Sequence, residues 1–218
     1  MKNLFNLDSP LMQMLTRVGD MILLNALFLI CSIPVFTMGA SLAALHKMLQ
    51  QVVNESDTGT VKGFFRAFRE NFKQATGLWL IVLLVIVSLF CDYLLVVTYF
   101  SGSEAVKWML GLLAVLALLV ACVCAYMIPL LVRYENSLRQ HLSNAIILSV
   151  IKLPRTIGLL ILNFLPVIIF VLSFNVFLQT LIFWLFIGFA FTTYLGTLLL
   201  QPVFKELEGD KDKISLGK

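Results

Sequence analysis

The chain has 218 residues, of which 60% are hydrophobic and 13% charged, and its mean hydropathy is +0.97. A soluble domain of this size cannot bury that much apolar surface, so the composition excludes the ordinary soluble classes and points to an all-α integral membrane protein. The net charge of +4 is concentrated in two loops, so it speaks to orientation in a bilayer and not to a nucleic-acid partner.

Residues 1–20 hold no span and read as an interfacial helix. Asp8-Ser9-Pro10 is a helix start, with a capping side chain and a proline where its missing N–H costs nothing. Leu11, Met12, Leu15 and Val18 follow at helical spacing. The segment does not read as a cleaved signal peptide, because its basic residues are Lys2 and Arg17 and no clean small-residue cleavage site follows. From Met21 to Leu45 no charged residue appears, and a first span is expected there. Pro34, followed by Gly39, places a bend or break near Ile33. Two topologies stand open: a full crossing, or a segment that dips in and returns at Pro34.

Beyond His46 and Lys47 the chain turns polar, and Asn54 to Thr60 reads as a loop. Val61, Phe65, Phe68 and Phe72 then form an aromatic stripe beside a basic one of Lys62, Arg66, Arg69 and Lys73. Aromatics at the headgroup boundary, with cations reaching lipid phosphates, describe an interfacial elbow helix. The second span is expected at 76–100. Its Asp92 is the one formal charge well inside an apolar run, which makes it a candidate for function, although Tyr93 and Tyr99 mark an aromatic belt nearby. A third span is expected at 108–132, bent at Pro129.

A charged island follows, Arg133 to Arg155, closed by Pro154. The fourth span, 156–173, carries Asn163 and a bend at Pro166; the fifth, 176–200, carries Gln179 and several small or hydroxylated residues suited to close packing in lipid. The domain scheme is thus an interfacial helix at 1–20, a polytopic domain at 21–204 and a polar tail at 205–218. Lysine and arginine gather at 47–73 and in the island, which places both, with the C-terminus, in the cytoplasm. FKQATGLWL entering the second span echoes KLPRTIGLL entering the fourth, a pattern that tandem units or chance explain equally.

Catalytic chemistry finds little footing. His46 and His141 stand far apart in sequence without metal-ligand spacing, and a solvated or capping role is expected of each. The four cysteines, Cys31, Cys91, Cys122 and Cys124, all lie in apolar runs and read as small hydrophobes. No phosphate-cradling glycine loop is present, so neither an enzyme nor a nucleotide or other cofactor is expected.

The stretch from Asn3 through SIPVFTMGAS, FFRAFRENFKQATGLW, KLPRT and LLILNFLP resembles the YesL-like bacterial membrane proteins over nearly the whole chain. That resemblance implies a multi-pass protein of the bacterial cytoplasmic membrane, of unknown biochemical function, encoded beside sugar importers and glycoside-degrading enzymes. It supplies no site residues. The island is also similar to the loop by which ABC importer permeases dock on their ATPases, with Glu135, Ile151, Leu153 and Pro154 in the corresponding places. Asn136, Ser137 and His141 depart from that pattern, and the lost glycine puts the tight turn in doubt. In such a loop Leu138 and Leu142 would enter a partner cleft while Glu135 or Arg139 sets the register. The reading is therefore an accessory or permease-like subunit for carbohydrate uptake, partnered by an ABC-type ATPase or sugar permease subunits within the lipid bilayer. Its rival is a stand-alone transporter of small solutes built around Asp92, Asn163, Gln179 and Pro34; a scaffold without solute is the third.

Overall fold

The structure is a computed structural model that describes residues 10–53, 59–100, 102–134 and 137–216. The expected cap at Asp8-Ser9, the polar stretch 54–58, and Glu135 with Asn136 lie outside these residues. The described chain is all helical: α1 (Pro10–Cys31), a 3-10 turn (Val35–Thr37), α2 (Met38–Val53), α3 (Thr60–Tyr99), α4 (Ala105–Arg133), α5 (Leu138–Ile151), α6 (Leu153–Leu172), α7 (Phe174–Phe183), a π segment (Trp184–Gly188) and α8 (Phe189–Leu216). Five helical stretches are long and apolar enough to cross a bilayer, beginning at Met14, Thr60, Ala105, Leu153 and Phe174, so the chain is a multi-pass membrane protein.

The apolar run 21–45 is two helices and not one. Thr60, at the start of α3, donates its hydroxyl to the Asp20 carboxylate in α1. Were α1 and α2 collinear, residues 20 and 53 would lie about 50 Å apart at 1.5 Å per residue. The seven residues from 53 to 60 span at most about 25 Å. The chain therefore folds back at residues 32–37, and Asp20 and Val53 lie at one end of a helical hairpin. The turn carries its own partners: the Thr37 hydroxyl lies 2.7 Å from the Cys31 carbonyl and 2.8 Å from that of Pro34. At 16 residues, α2 is about 24 Å long, short of the roughly 30 Å hydrocarbon core.

The second arm of the hairpin, α2, fills the middle of the molecule. Ala40, Ala43, Ala44, Leu45 and Leu49 of α2 are fully buried. α2 runs antiparallel to α3, since Gly39 sits against Ala75 and Trp79 while Lys47 pairs with Glu70 at 2.8 Å. That packing explains why 61–75 is no separate elbow. Gly63, Phe64 and Ala67 face inward, Lys62, Arg66, Arg69 and Lys73 face outward, and one helix of 40 residues continues into the second span. At the opposite end α3 turns into α4 through Gly102, whose φ of 93° suits a residue without Cβ.

α7, the π segment and α8 follow one another without a gap, and the helix runs on through the stretch read as a tail. Beyond Leu200 it acts as a clamp. Glu208 receives a two-pronged bond from Arg133 (2.8 and 3.1 Å), whose guanidinium lies 4.6 Å from the Phe204 ring centre. Glu206 binds Lys152, at the α5–α6 junction, at 2.7 Å. Exposed ion pairs contribute little, about 0–1 kcal/mol, but the forked, ring-stacked arginine is the stronger kind. Both ends of the island are thereby tied to α8.

The π segment is tied to α1 by Asn25. A wide turn leaves backbone groups out of register, and this fully buried amide meets them: Nδ2 donates to the carbonyls of Trp184 (3.2 Å) and Leu185 (2.8 Å), and Oδ1 accepts from the Ala190 N–H (3.0 Å). Bonds of this kind in lipid average about 0.6 kcal/mol each, so Asn25→Leu is expected to cost about 2 kcal/mol. Equilibrium unfolding of the purified protein in detergent would measure it, and an unchanged stability would contradict the bridging role.

Candidate functional site

A cavity of about 310 Å³ lies where the hairpin meets α3, α4, α6 and α8. Several features of the helices converge on it. Pro129 gives up the N–H that would reach the Ala125 carbonyl, and Pro166 likewise that of Leu162. Both prolines line the cavity, with Met38, Leu42 and His46 of α2 and Phe189, Thr192 and Thr193 just beyond the π segment. Trp79 forms part of the wall and donates its indole N–H to the Val35 carbonyl at 2.8 Å, pinning the hairpin turn.

The polar lining is sparse and uncharged in kind. No Asp, Glu, Lys or Arg is among the lining residues. His46 is 8% exposed, and its Nδ1 has no hydrogen-bond partner in the structure. Asn163 stands at the open side. The Thr192 hydroxyl lies 3.1 Å from the Gly188 and Phe189 carbonyls, so its proton is used within its own helix and its lone pairs remain available. A chamber of this make-up suits a small molecule with hydroxyl or amide groups and no net charge.

Of the expected solute path, Asn163 lines the cavity. Asp92 and Gln179 are exposed on the outer surfaces of α3 and α7, away from it, and Pro34 is exposed in the hairpin turn. Both histidines depart from the solvated role: His46 lines the cavity and His141 is fully buried in α5. Two further lining residues, His46 and Thr192, were not among the expected site residues, nor was Asn25, which does not line the cavity but holds the π segment beside it. Their signal was an uncharged polar side chain inside an otherwise apolar run. Among the described residues no group of three or more His, Cys, Asp or Glu is arranged to hold a metal.

The island resolves into an elbow. Ser137 caps α5 and exchanges bonds with Gln140, and Pro154 lies in the first turn of α6. The buried face of α5, with His141, Ala145 and Leu148, packs against the core. Leu138, Arg139 and Leu142 are exposed along one face of α5. They line a second, larger groove of about 590 Å³ with Leu78 to Val85 of α3 and Leu119 to Met127 of α4. Ile151 and Leu153 are exposed at the elbow's end.

Helices, hairpin and cavity together define a multi-pass, all-α membrane protein with a chamber between its helices. Residues 21–93 match the model of a family described as protein of unknown function, DUF624. The match takes in the hairpin and most of α3, including Asn25, Gly39, His46 and Trp79, and ends before α4, α6 and α8. No curated protein and no solved structure matches the chain.

The seat of the hairpin is testable at Gly39. A Cβ there would overlap Trp79 and come within 2.6 Å of the Ala75 carbonyl, whereas one at Gly77 meets nothing within 4 Å. Gly39→Leu is expected to destabilise the fold by about 1–3 kcal/mol, and Gly77→Ala to stabilise it by up to about 1 kcal/mol through helix propensity. Thermal unfolding in detergent separates the two; equal effects would mean that Gly39 is not in close contact.

Proposed function

We propose that the chain is a non-enzymatic, permease-like membrane subunit that takes a small uncharged polar solute, of the carbohydrate class, into the cavity beside His46. One observation carries this reading: an uncharged, mainly apolar chamber whose few polar groups are His46, Asn163, Thr192 and Thr193 sits where a helical hairpin, two proline-interrupted helices and the end of a π segment meet. Irregular backbone at membrane depth is tolerated where it is enclosed by protein or lines a cavity, and transporters place their binding sites at such breaks. The carbohydrate class follows from the hydroxyl-matching lining and from the likeness to YesL-like proteins. The end bearing Lys62 to Lys73, Arg133, Lys152 and Arg155 faces the cytoplasm, by the bias of lysine and arginine toward that side.

The test is ligand-dependent stabilisation of the full chain in lipid nanodiscs, scanned with neutral mono- and disaccharides and with the corresponding sugar acids. A neutral sugar is expected to raise the melting temperature, and the sugar acids are not. Asn163→Leu, at the cavity's open side, and His46→Phe are each expected to weaken that response at least tenfold in apparent Kd. No response to any neutral sugar, an equal response to the acids, or variants that respond like wild type would overturn the reading.

An ABC-type ATPase or sugar permease subunit would meet α5 on the face that the groove leaves free, where Gln140, Asn144, Ile147 and Ile151 are exposed. Charge placed there by Ile147→Glu is expected to abolish co-purification of such a partner from native membranes. Leu138→Ala, inside the groove, is expected to leave it intact.

A further inference from the structure

We infer that the groove between α3, α4 and α5 is a binding site for one bilayer phospholipid, with an acyl chain in the trough and the phosphate on the Arg139 guanidinium. The groove is about 590 Å³ and follows α4 from Leu119 to Met127, about 12 Å at 1.5 Å per residue. Its lining is apolar apart from Arg139 and Ser149, and the Ser149 hydroxyl is occupied by the Ile146 carbonyl at 2.8 Å. Such a trough offers water nothing to bind, and water leaves an apolar space of this kind.

What fills it follows from where it opens. Ile81 on α3, Leu119 on α4 and Val150 on α5 are each more than half exposed along its rim. The first two belong to helices that are long and apolar enough to cross the bilayer, so the trough faces acyl chains. Arg139 is the one charged side chain that lines it, and it lies in the first turn of α5, beside the cationic end of the bundle. A planar guanidinium pairs with a phosphate through two parallel bonds, and the amino end of α5 adds a favourable dipole for an anion. An apolar trough with a single cation at its headgroup end is complementary to a phospholipid. A soluble protein would instead find a surface lying at the bilayer boundary.

The groove and the cavity share Val82, Cys124 and Met127 in their walls but have different contents, so the inference stands apart from the solute reading. Its test is native mass spectrometry of the full chain purified from its own membranes in mild detergent, followed by identification of the retained lipid. One phospholipid per protomer is expected on the wild type. Arg139→Glu is expected to reduce retention at least tenfold, Arg139→Gln to reduce it less, and Leu142→Trp, which fills the trough, to abolish it. Melting curves identify any variant that fails to fold, and Arg139→Gln, a change at an exposed side chain, keeps the comparison decisive. Equal retention in wild type, Arg139→Glu and Leu142→Trp would overturn the inference, as would a lipid-free dimer that covers the groove with a second copy.

Discussion

In hydrocarbon no water is at hand for an unpaired peptide group, and each break in a helix has to be answered from within the protein. The architecture here follows from how its breaks are answered. Asn25 serves the π segment, Thr37 and Trp79 serve the hairpin turn, and Thr156 serves the α5–α6 junction through the Ser149 and Lys152 carbonyls at 2.9 and 3.1 Å. Tyr126 joins the last of these, its hydroxyl 3.1 Å from that of Thr156. Asn25 and Trp79 reach from a neighbouring helix, and Thr37 and Thr156 act across their own turns, so the π segment and the hairpin turn become tertiary links. The hairpin is held by the polar groups at its own interruptions as well as by burial of alanine and leucine.

This arrangement divides the molecule into unlike ends. One holds the turns at Gly102 and at Ser173, with one ion pair among the described residues, Lys107 with Glu104 at 3.1 Å. The other gathers Lys47–Glu70, Arg133–Glu208 and Lys152–Glu206, which lock α2 to α3 and tie α8 to both ends of the elbow. The cavity lies on the hairpin side of this locked end, and the groove lies under the elbow. α5 forms one side of the groove directly, and it reaches the cavity through α4 and α6, which line it.

Much of this was legible in the residues and some could not be. Long apolar runs identify the helices that can cross, Pro154 opens α6 where proline belongs in a first turn, and Pro34 marks the interruption after α1. The return at 32–37 was readable only as one of two open topologies, because a 25-residue run without charge is the same whether it crosses or doubles back; Asp20 meeting Thr60 distinguishes them. The amphipathic pattern at 61–75 has the same ambiguity. Phenylalanines and cations at helical spacing suit a helix lying on lipid and equally one laid against another helix, and the small residues Gly63 and Ala67, with Gly39 opposite Trp79, decide for the second. Asn25 was overlooked, and His46 was read as solvated, for a related reason: an uncharged polar side chain barely alters a hydropathy profile, yet its fixed directions determine where two helices meet.

The shared wall carries the last consequence. Val82, Cys124 and Met127 separate a chamber with several hydrogen-bonding groups from a trough that is apolar apart from Arg139 and Ser149, and a single layer of side chains lies between. Cys124 and Met127 are small or flexible enough to fit irregular space from both sides, which is the use that sulfur-bearing side chains find in cores. Pro129 lies two residues beyond Met127 on the same helix. The interruption that opens the cavity thus also sets the position of the wall that the lipid-facing groove depends on.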